Sequence, residues 1–207
     1  CHIIERATSL LQTNQIEVKV FQNVVADPPE DIILKGHASA MDFEATTIVG
    51  LGGGSSMDVA KVIAVLARGK ERLQDIYGVD QVSGGRLPLI LVPTTAGTGS
   101  EVTAVSIVTT GETTKSGIVS PVLLPDVALC DPELTYDLPP HITAASGVDA
   151  MVHAIEAFTS ASPNNNPLSR GLAGQALQLM VPSIERAVHH GNTDKEARAD
   201  MMLGAML

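Results

Sequence analysis

Apolar residues occur in two alternating patterns over the first two thirds of the chain. Short segments rich in apolar residues, either alternating or nearly continuous as in strands, lie at residues 17–21, 45–51, 87–95, 103–110 and 126–131. Between them, residues 55–69 place Val59, Ile63 and Leu66 on one stripe, as an amphipathic helix does. This alternation predicts a mostly parallel β-sheet with helices on both of its faces.

Strand patterns end near residue 137, and three helices are predicted after it. The first covers residues 141–159. The second begins at Asn166 and Pro167, because Asn is a favoured N-cap and Pro fits the first helical position. The third begins at Thr193, where Glu196 completes a capping box. The change of pattern predicts a boundary between an α/β domain and an all-helical domain.

Composition and charge exclude several classes of partner. The 207 residues are 44% hydrophobic and carry a formal net charge of −10, which disfavours nucleic acid and anionic membrane surfaces. The chain has two cysteines and no apolar run of the ~20 residues that cross a membrane. We therefore expect a cytoplasmic protein without a nucleic-acid or membrane partner. Its first residue is Cys1, and both ends have helical apolar patterns, so we expect a piece of a longer protein.

A glycine-rich turn lies between the 45–51 strand and the 55–69 helix. Gly52, Gly53 and Gly54 let the backbone approach a ligand, and the start of a helix attracts anions. Ser55 or Ser56 is expected to cap this helix, with Asp58 completing the cap. The spacing matches neither the Rossmann fingerprint nor a P-loop. A tight structural turn and a phosphate-binding turn both remain open.

A second candidate segment, PTTAGTGSEVT, follows the 87–95 strand. Ligands of open α/β sheets bind beyond the carboxyl ends of strands. The segment offers several hydroxyl groups and two glycines there, and by itself it is more typical of a polar surface loop. Together with the glycine turn it favours a nucleotide site. The hydroxyl groups belong to Thr94, Thr95, Thr98, Ser100 and Thr103.

The segment GVDAMVHAIEAF carries the candidate metal ligands. Asp149 and His153 are four residues apart, so a helix directs a carboxylate and an imidazole toward one point. That pair suits Fe²⁺, Zn²⁺ or Mn²⁺, although by itself it is a weak metal signal and is more often a helix salt bridge or hydrogen bond. Glu156 is interpreted as a supporting residue and not as a ligand. The other histidines in the chain are not convincing third ligands, and the apolar neighbours are expected to form the packing face of the helix.

Four segments in this order closely resemble the iron-containing (group III) alcohol dehydrogenase family. They are GGGSSMDVAK, PTTAGTGSEVT, LLPDVALCDPELTYDLPP and AASGVDAMVHAIEAF, and the likeness extends through the whole chain. The resemblance implies a dehydroquinate-synthase-like architecture. A dinucleotide-binding α/β domain without its N-terminal strand is expected over residues 1–137. A truncated all-helical metal-binding domain is expected over residues 138–207.

The same resemblance implies a function and its residues. The expected reaction is reversible hydride transfer between a small alcohol or aldehyde and NAD or NADP, with Fe²⁺, or alternatively Zn²⁺, bound by a homodimeric enzyme. No side chain is expected to act as an acid or base at the reacting carbon. The implied metal ligands are Asp149 and His153. The implied cofactor contacts are Gly53, Gly54, Ser55, Asp58, Thr94, Thr95, Thr98, Thr103, Lys115 and Leu134.

Three departures from the family pattern keep alternatives open. The family's other two metal-binding histidines lie downstream of residue 207, and its ribose-reading strand lies upstream of Cys1. The family's Asn-Pro is replaced here by Asp27-Pro28. The alternatives are a Zn²⁺-dependent synthase that uses bound NAD catalytically, another reductase of this fold, and an inactive nucleotide-binding fragment.

Overall fold

The structure is a computed structural model that describes residues 2–111 and 113–207. Within these residues the helices are α1 (Ile3–Thr13), α2 (Glu30–Asp42), α3 (Gly54–Arg68), α4 (Pro140–Thr159), α5 (Pro167–His190) and α6 (Lys195–Met206). The strands are β1 (Ile48–Gly52), β2 (Gly78–Val79), β3 (Leu89–Pro93), β4 (Val105–Thr110), β5 (Thr114–Val119) and β6 (Val127–Ala128). Short 3₁₀ helices cover Leu73–Asp75, Ser100–Val102, Pro121–Leu123 and Pro132–Thr135. In the described part of the chain, no helix has the length and apolarity needed to cross a membrane.

The chain divides into two compact units. The first contains Cys1–Val92 and Ser100–Leu129, and it includes the strands. The second contains Pro93–Gly99 and Cys130–Leu207, and it is mainly helical. Residues Pro93–Gly99, from the middle of the chain, therefore belong to the helical unit. A single boundary in the sequence does not describe this division. The boundary at residue 137 stays a prediction.

The first unit contains two three-stranded sheets. In one, the strand order is β1-β3-β6, and β3 and β6 run parallel with Ile90 opposite Val127. In the other, the order is β2-β5-β4, with β2 and β5 parallel. Strands β4 and β5 form an antiparallel hairpin, which the expectation of a mostly parallel sheet did not include. Gly111, with φ of +65°, provides the left-handed conformation where β4 ends.

Helix α3 is central to the core of the first unit. Its predicted stripe of Val59, Ile63 and Leu66 is buried, and so are the residues between them. A helix that is buried all round packs against neighbours on every side. Leu89 and Leu91 of β3 are both fully buried in a cluster with α3 residues, so α3 covers this strand.

The second unit is held by small residues and methionines. Ala150 and Ala154 of α4 pack in one buried cluster with residues of α5 and α6. Gly147 lies on the same face of α4, and a Cβ there would lie 2.3 Å from Ile184 Cδ1. Small side chains at these positions therefore let α5 approach α4 closely.

Three segments were misinterpreted or not identified from the sequence. Residues 17–21 form no strand, although their composition is typical of one. A strand requires a hydrogen-bonding neighbour, and alternation of side chains does not provide it. Helix α2 and strand β5 were not identified from the pattern, because neither has a long apolar run. β5 forms because β4 pairs with it from Val105↔Val119 to Thr110↔Thr114.

The starts of the last two helices test the capping predictions. Asn166 is the N-cap of α5, and its side chain accepts hydrogen bonds from the N–H groups of Leu168 and Ser169, as predicted. The predicted N-cap of α6 was wrong by one residue. Asp194, not Thr193, is the N-cap and accepts from the Ala197 N–H, while the Thr193 hydroxyl donates to the His190 carbonyl. A carboxylate is a strong N-cap acceptor and also favours the positive end of the helix dipole.

Asp126 links the start of β6 to β3 through hydrogen bonds. Its carboxylate accepts from Arg86 Nη1 at 2.6 Å and from the Leu89 N–H at 2.7 Å, and its own N–H donates to the Leu89 carbonyl. The Arg86 guanidinium, helped by the Leu89 N–H, lowers the pKa of Asp126 to about 2. The carboxylate side chain is 55% exposed, so solvent screens this pair.

Asp126 should contribute to stability against acid. Since the pKa of Asp126 is lower in the folded chain than the ordinary 3.8, its contribution is present above pH ~4 and is lost as the pH falls through 2. We expect Asp126→Asn to lower the melting temperature modestly at pH 7 and to make it less sensitive to acid. Melting curves between pH 7 and 2.5 measure this, with the exposed Asp137→Asn as control. An acid profile of Asp126→Asn that matches the wild-type profile would contradict the assignment.

Candidate functional site

The glycine turn joins β1 to α3 without a side-chain cap. Gly52 has φ of +151°, and a Cβ at this position would lie 2.6 Å from Ser56 Oγ, so a larger residue would be strained. Gly53 is the N-cap of α3, and no side chain accepts from the first-turn N–H groups. The prediction that Ser55 or Ser56 caps this helix was wrong. The helix start instead presents the N–H groups of Gly54 and Ser55 to an anion such as a phosphate group, while those of Ser56 and Met57 bond the Gly53 carbonyl.

Asp58 is bonded on both carboxylate oxygens. Oδ1 accepts from Ser100 Oγ at 2.6 Å, and Oδ2 accepts from the Ile107 N–H at 2.9 Å. These contacts join the first turns of α3 to a segment more than forty residues further along the chain. Asp58 therefore holds Ser100 and Ile107 against the first turns of α3, and its direct contact with a cofactor stays a prediction.

Residues 93–99 of the threonine-rich segment belong to the second unit and lie beside α4. Thr94 and Thr95 follow β3 and are half-buried, and Thr98 is exposed. A Cβ at Gly97 would lie within 2.9–3.2 Å of Ser146 atoms, including its backbone oxygen and Cα. Ala96 is buried in the same cluster as Ala150. The segment therefore packs against the turn of α4 that comes directly before Asp149.

Asp149 and His153 lie together on one side of α4. His153 Nε2 is 3.7 Å from Asp149 Oδ1, and the two side chains are 51% and 48% exposed. A carboxylate oxygen and an imidazole nitrogen presented together fit the donor preferences of Fe²⁺ and Zn²⁺. Within residues 2–111 and 113–207, no group of three or more His, Cys, Asp or Glu side chains could hold a metal ion. Asp149 and His153 thus provide two donors, and their role as metal ligands stays a prediction.

The apolar residues around the metal candidates do not all form the packing face. Four of the larger ones are 44–53% exposed, so the prediction that they pack was wrong for them. Ala150 and Ala154 make the packing face instead, because small side chains fit the close approach of α5. Glu156 is exposed on the same helix. The exposed apolar residues are Val148, Val152, Ile155 and Phe158.

The remaining predicted cofactor contacts lie in different surroundings. Lys115 on β5 forms an ion pair with Asp27 at 2.6 Å, and both side chains are more than half exposed. Asp27 adopts φ of +49°, a conformation that Asp tolerates better than most residues. Leu134 is half-buried in the Pro132–Thr135 helix of the second unit. Asp27, which stands where the family pattern has Asn, therefore forms an ion pair with Lys115, a predicted cofactor contact.

Sequence interpretation overlooked Lys61. Its side chain is completely buried in α3, and Nζ lies 3.8 Å from Asp58 Oδ1. Thr103, a predicted cofactor contact, accepts a hydrogen bond from Lys61 at 3.2 Å. The signal available in the sequence was a lysine among Val59, Val62 and Ile63, three residues after Asp58.

Comparisons with known proteins agree on one family over both parts of the chain. Residues 1–132 match the family model described as iron-containing alcohol dehydrogenase. Residues 143–207 match the model described as Fe-containing alcohol dehydrogenase family, C-terminal. Three of the four motif segments identified from the sequence lie entirely within these matches, and the third segment, residues 123–140, is matched as far as residue 132.

Individual relatives are similar over nearly the whole chain. Long-chain-alcohol dehydrogenase 1 of Geobacillus thermodenitrificans is 42% identical, with 99% of this chain and 52% of the relative covered. 4-Hydroxybutyrate dehydrogenase of Cupriavidus necator is 38% identical, with 99% and 53% covered. The chain thus spans about half the length of these relatives.

Solved structures show the same similarity. A 1,3-propanediol oxidoreductase superposes with a TM-score of 0.92 at 33% identity, with 98% of this chain and 53% of that chain covered. Sulfoacetaldehyde reductase from Bifidobacterium kashiwanohense, solved in complex with NAD⁺, superposes with a TM-score of 0.86 at 31% identity, with 99% and 55% covered. The chain therefore belongs to the iron-containing alcohol dehydrogenase family.

Proposed function

We propose that the protein is a metal-dependent oxidoreductase that transfers hydride reversibly between an alcohol and NAD or NADP. The observation that carries this proposal is the Asp149–His153 pair on α4, with the threonine-rich segment packed one turn before it. The pair provides metal donors, and the segment provides hydroxyl groups for a nucleotide. The family of the chain and the activities named for its relatives agree with this combination.

The cofactor is proposed to bind at two groups of residues. The first-turn N–H groups at Gly54 and Ser55 would bind the pyrophosphate, because an uncapped helix start attracts anions. Thr94, Thr95 and Thr98 would hydrogen-bond the nicotinamide half through their hydroxyl groups. NAD is the better-supported nucleotide, because one similar structure contains NAD⁺. NADP is the alternative.

Asp149 and His153 would hold the divalent ion, proposed to be Fe²⁺ with Zn²⁺ as the alternative. When bound, such an ion supplies Lewis-acid stabilisation of the substrate oxygen. The chain's own residues orient the reactants, because the tight packing of Gly97 on Ser146 fixes the threonine-rich segment relative to Asp149. No general base at the reacting carbon is needed, since the carbon loses hydride and not a proton. We further propose a homodimer in the cytoplasm.

The proposal is tested by net reduction of the nicotinamide. The product of the complete reading frame that encodes this chain is purified, loaded with Fe²⁺ or Zn²⁺, and supplied with NAD⁺ or NADP⁺. Primary alcohols and diols of increasing length are then added, and absorbance of the reduced nicotinamide is followed at alkaline pH. We expect alcohol-dependent reduction that stops when a chelator removes the metal and returns when the metal is restored.

Two other results would contradict the proposal in different ways. Tight binding of NAD⁺ without net reduction by any alcohol would indicate a synthase that regenerates its NAD within each turnover. Nucleotide binding without metal uptake would indicate a binding module without catalysis. Metal content, nucleotide titration and absorbance are measured on the same preparation, so the three outcomes are distinguishable.

A further inference from the structure

The Lys61 ammonium group makes three hydrogen bonds to one segment of the chain. Nζ donates to Ser100 Oγ at 2.9 Å, to Thr103 Oγ1 at 3.2 Å and to the Val105 carbonyl at 2.7 Å. A lysine ammonium has three protons, so each proton has its own acceptor. The three acceptors are neutral, and they lie within six consecutive residues that lead into β4.

Asp58, one turn before Lys61 on α3, forms further hydrogen bonds with the same part of the chain. Its carboxylate accepts from Ser100 Oγ and from the Ile107 N–H, and its carbonyl accepts from Ser106 Oγ at 3.1 Å. Helix α3 and residues 100–107 are therefore joined by hydrogen bonds at both ends of that segment. We call residues 100–107 the clamp segment.

The buried charge is unfavourable for folding. Burial lowers the pKa of Lys61 from 10.5 to about 8, although the charges of Asp58 and Glu101 oppose this effect. Glu101, in the Ser100–Val102 helix, is 2% exposed, and burial raises the pKa of its carboxyl group. From β4, the group that faces the Lys61 ammonium is the Val105 carbonyl. A well-packed apolar side chain commonly stabilises such a position better than a buried ion does.

We propose that Lys61 is a positioning residue whose ammonium fixes the clamp segment on α3 and thereby sets the place of Thr103. A neutral amine has two protons for three acceptors, so deprotonation releases one contact. The effect on cofactor affinity rests on the proposed function, since Thr103 is a proposed cofactor contact. The attachment of the clamp segment itself does not depend on that proposal.

The position of Lys61 makes folding stability and segment order respond oppositely to pH. Because its folded pKa lies below the ordinary value, folding carries the cost of a buried charge below pH 8. That cost is relieved as the pH rises from 8 toward 10.5. As the folded amine loses its proton around pH 8, the clamp segment loses the third hydrogen bond. If Lys61 served only to stabilise the core, stability and the order of the clamp segment would not change in opposite directions with pH.

The variant that tests the proposal is Lys61→Met, which keeps most of the side-chain volume and removes the charge. Protection of the Thr103 and Ile107 amides is measured by hydrogen exchange between pH 6.5 and 9, with melting temperature and NADH affinity measured in parallel. Lys35→Met controls for loss of a lysine charge on an exposed helix face. Val62→Ala controls for a general loosening of α3, because Val62 is fully buried next to Lys61.

We expect Lys61→Met to melt within ~5 °C of the wild-type chain while the Thr103 and Ile107 amides lose at least tenfold in protection, because ~1.4 kcal/mol corresponds to tenfold. NADH affinity should fall about tenfold. In the wild-type chain, protection and affinity should fall between pH 7 and 9, and the variant should lack this pH step. The two controls should not reproduce this selective loss.

Two results would overturn the proposal. One is unchanged protection of the clamp segment in Lys61→Met. The other is a loss of protection spread over the whole core, as in Val62→Ala, since that would show a purely structural role. If the wild-type protein binds no NADH, the proposed function fails, and the exchange data still decide whether Lys61 positions the clamp segment.

Discussion

Replacing Asp149 or His153 with Ala is expected to lower alcohol-dependent reduction of NAD(P) at least ~1,000-fold, which corresponds to ~4 kcal/mol of barrier. Each variant removes one of two donors that lie 3.7 Å apart on α4. Loss of a donor should weaken metal binding and remove charge stabilisation at the substrate oxygen. Metal content per chain and initial rates under saturating NAD⁺ measure the two effects separately.

These variants should remain folded. Both side chains are about half exposed, and the packing face of α4 consists of other residues, such as Ala150 and Ala154. The matched control is Glu156→Gln, which removes an exposed carboxylate from the same helix. We expect this control to retain metal and most of its activity. Equal loss of metal in Glu156→Gln and Asp149→Ala would show that the ligand assignment is wrong.

Arg198→Ala is expected to destabilise the second unit by ~2–4 kcal/mol. The guanidinium is 4% exposed and donates to the Gly191 carbonyl, to Thr143 Oγ1 and to the Leu138 carbonyl. It therefore joins α6 to the start of α4 and to the end of α5. Truncation leaves a cavity and buried oxygens without these donors, while relief of the buried charge offsets part of the cost.

Burial lowers the pKa of Arg198, in agreement with a cation held by neutral oxygens. Chemical denaturation at pH 7 measures the change, and thermal melting should show a decrease of roughly 4–16 °C for a chain of this size. Arg198→Lys should fall between wild type and Ala, because it keeps the charge and loses the planar fork of donors. Arg170→Ala, on the exposed surface of α5, is the control. A loss below ~1 kcal/mol would contradict the proposed role of Arg198.

The sequence predicted the structure correctly where the interactions that determine it are local. Asn166 and Pro167 defined the start of α5, because a cap bonds the backbone within three residues. The glycine turn between β1 and α3 was evident from composition. The spacing of Asp149 and His153 placed both on one side of a helix, since the helical period fixes that relation. The family resemblance was confirmed by the comparisons.

The tertiary structure decided what depends on residues that are distant in the chain. Ser55 and Asp58 matched a capping pattern, yet Asp58 bonds Ser100 and Ile107 instead. Residues 17–21 have the composition of a strand, but strands need partners from elsewhere in the chain. Helix propensity gave no indication that Lys61 would be fully buried. Sequence by itself thus determined most of the helices, though not α2, and the local donor pairs, because these depend on backbone geometry over a few residues. Only the packed structure determined which polar groups are buried and what they hold, because long-range packing sets solvent access and hydrogen-bond partners.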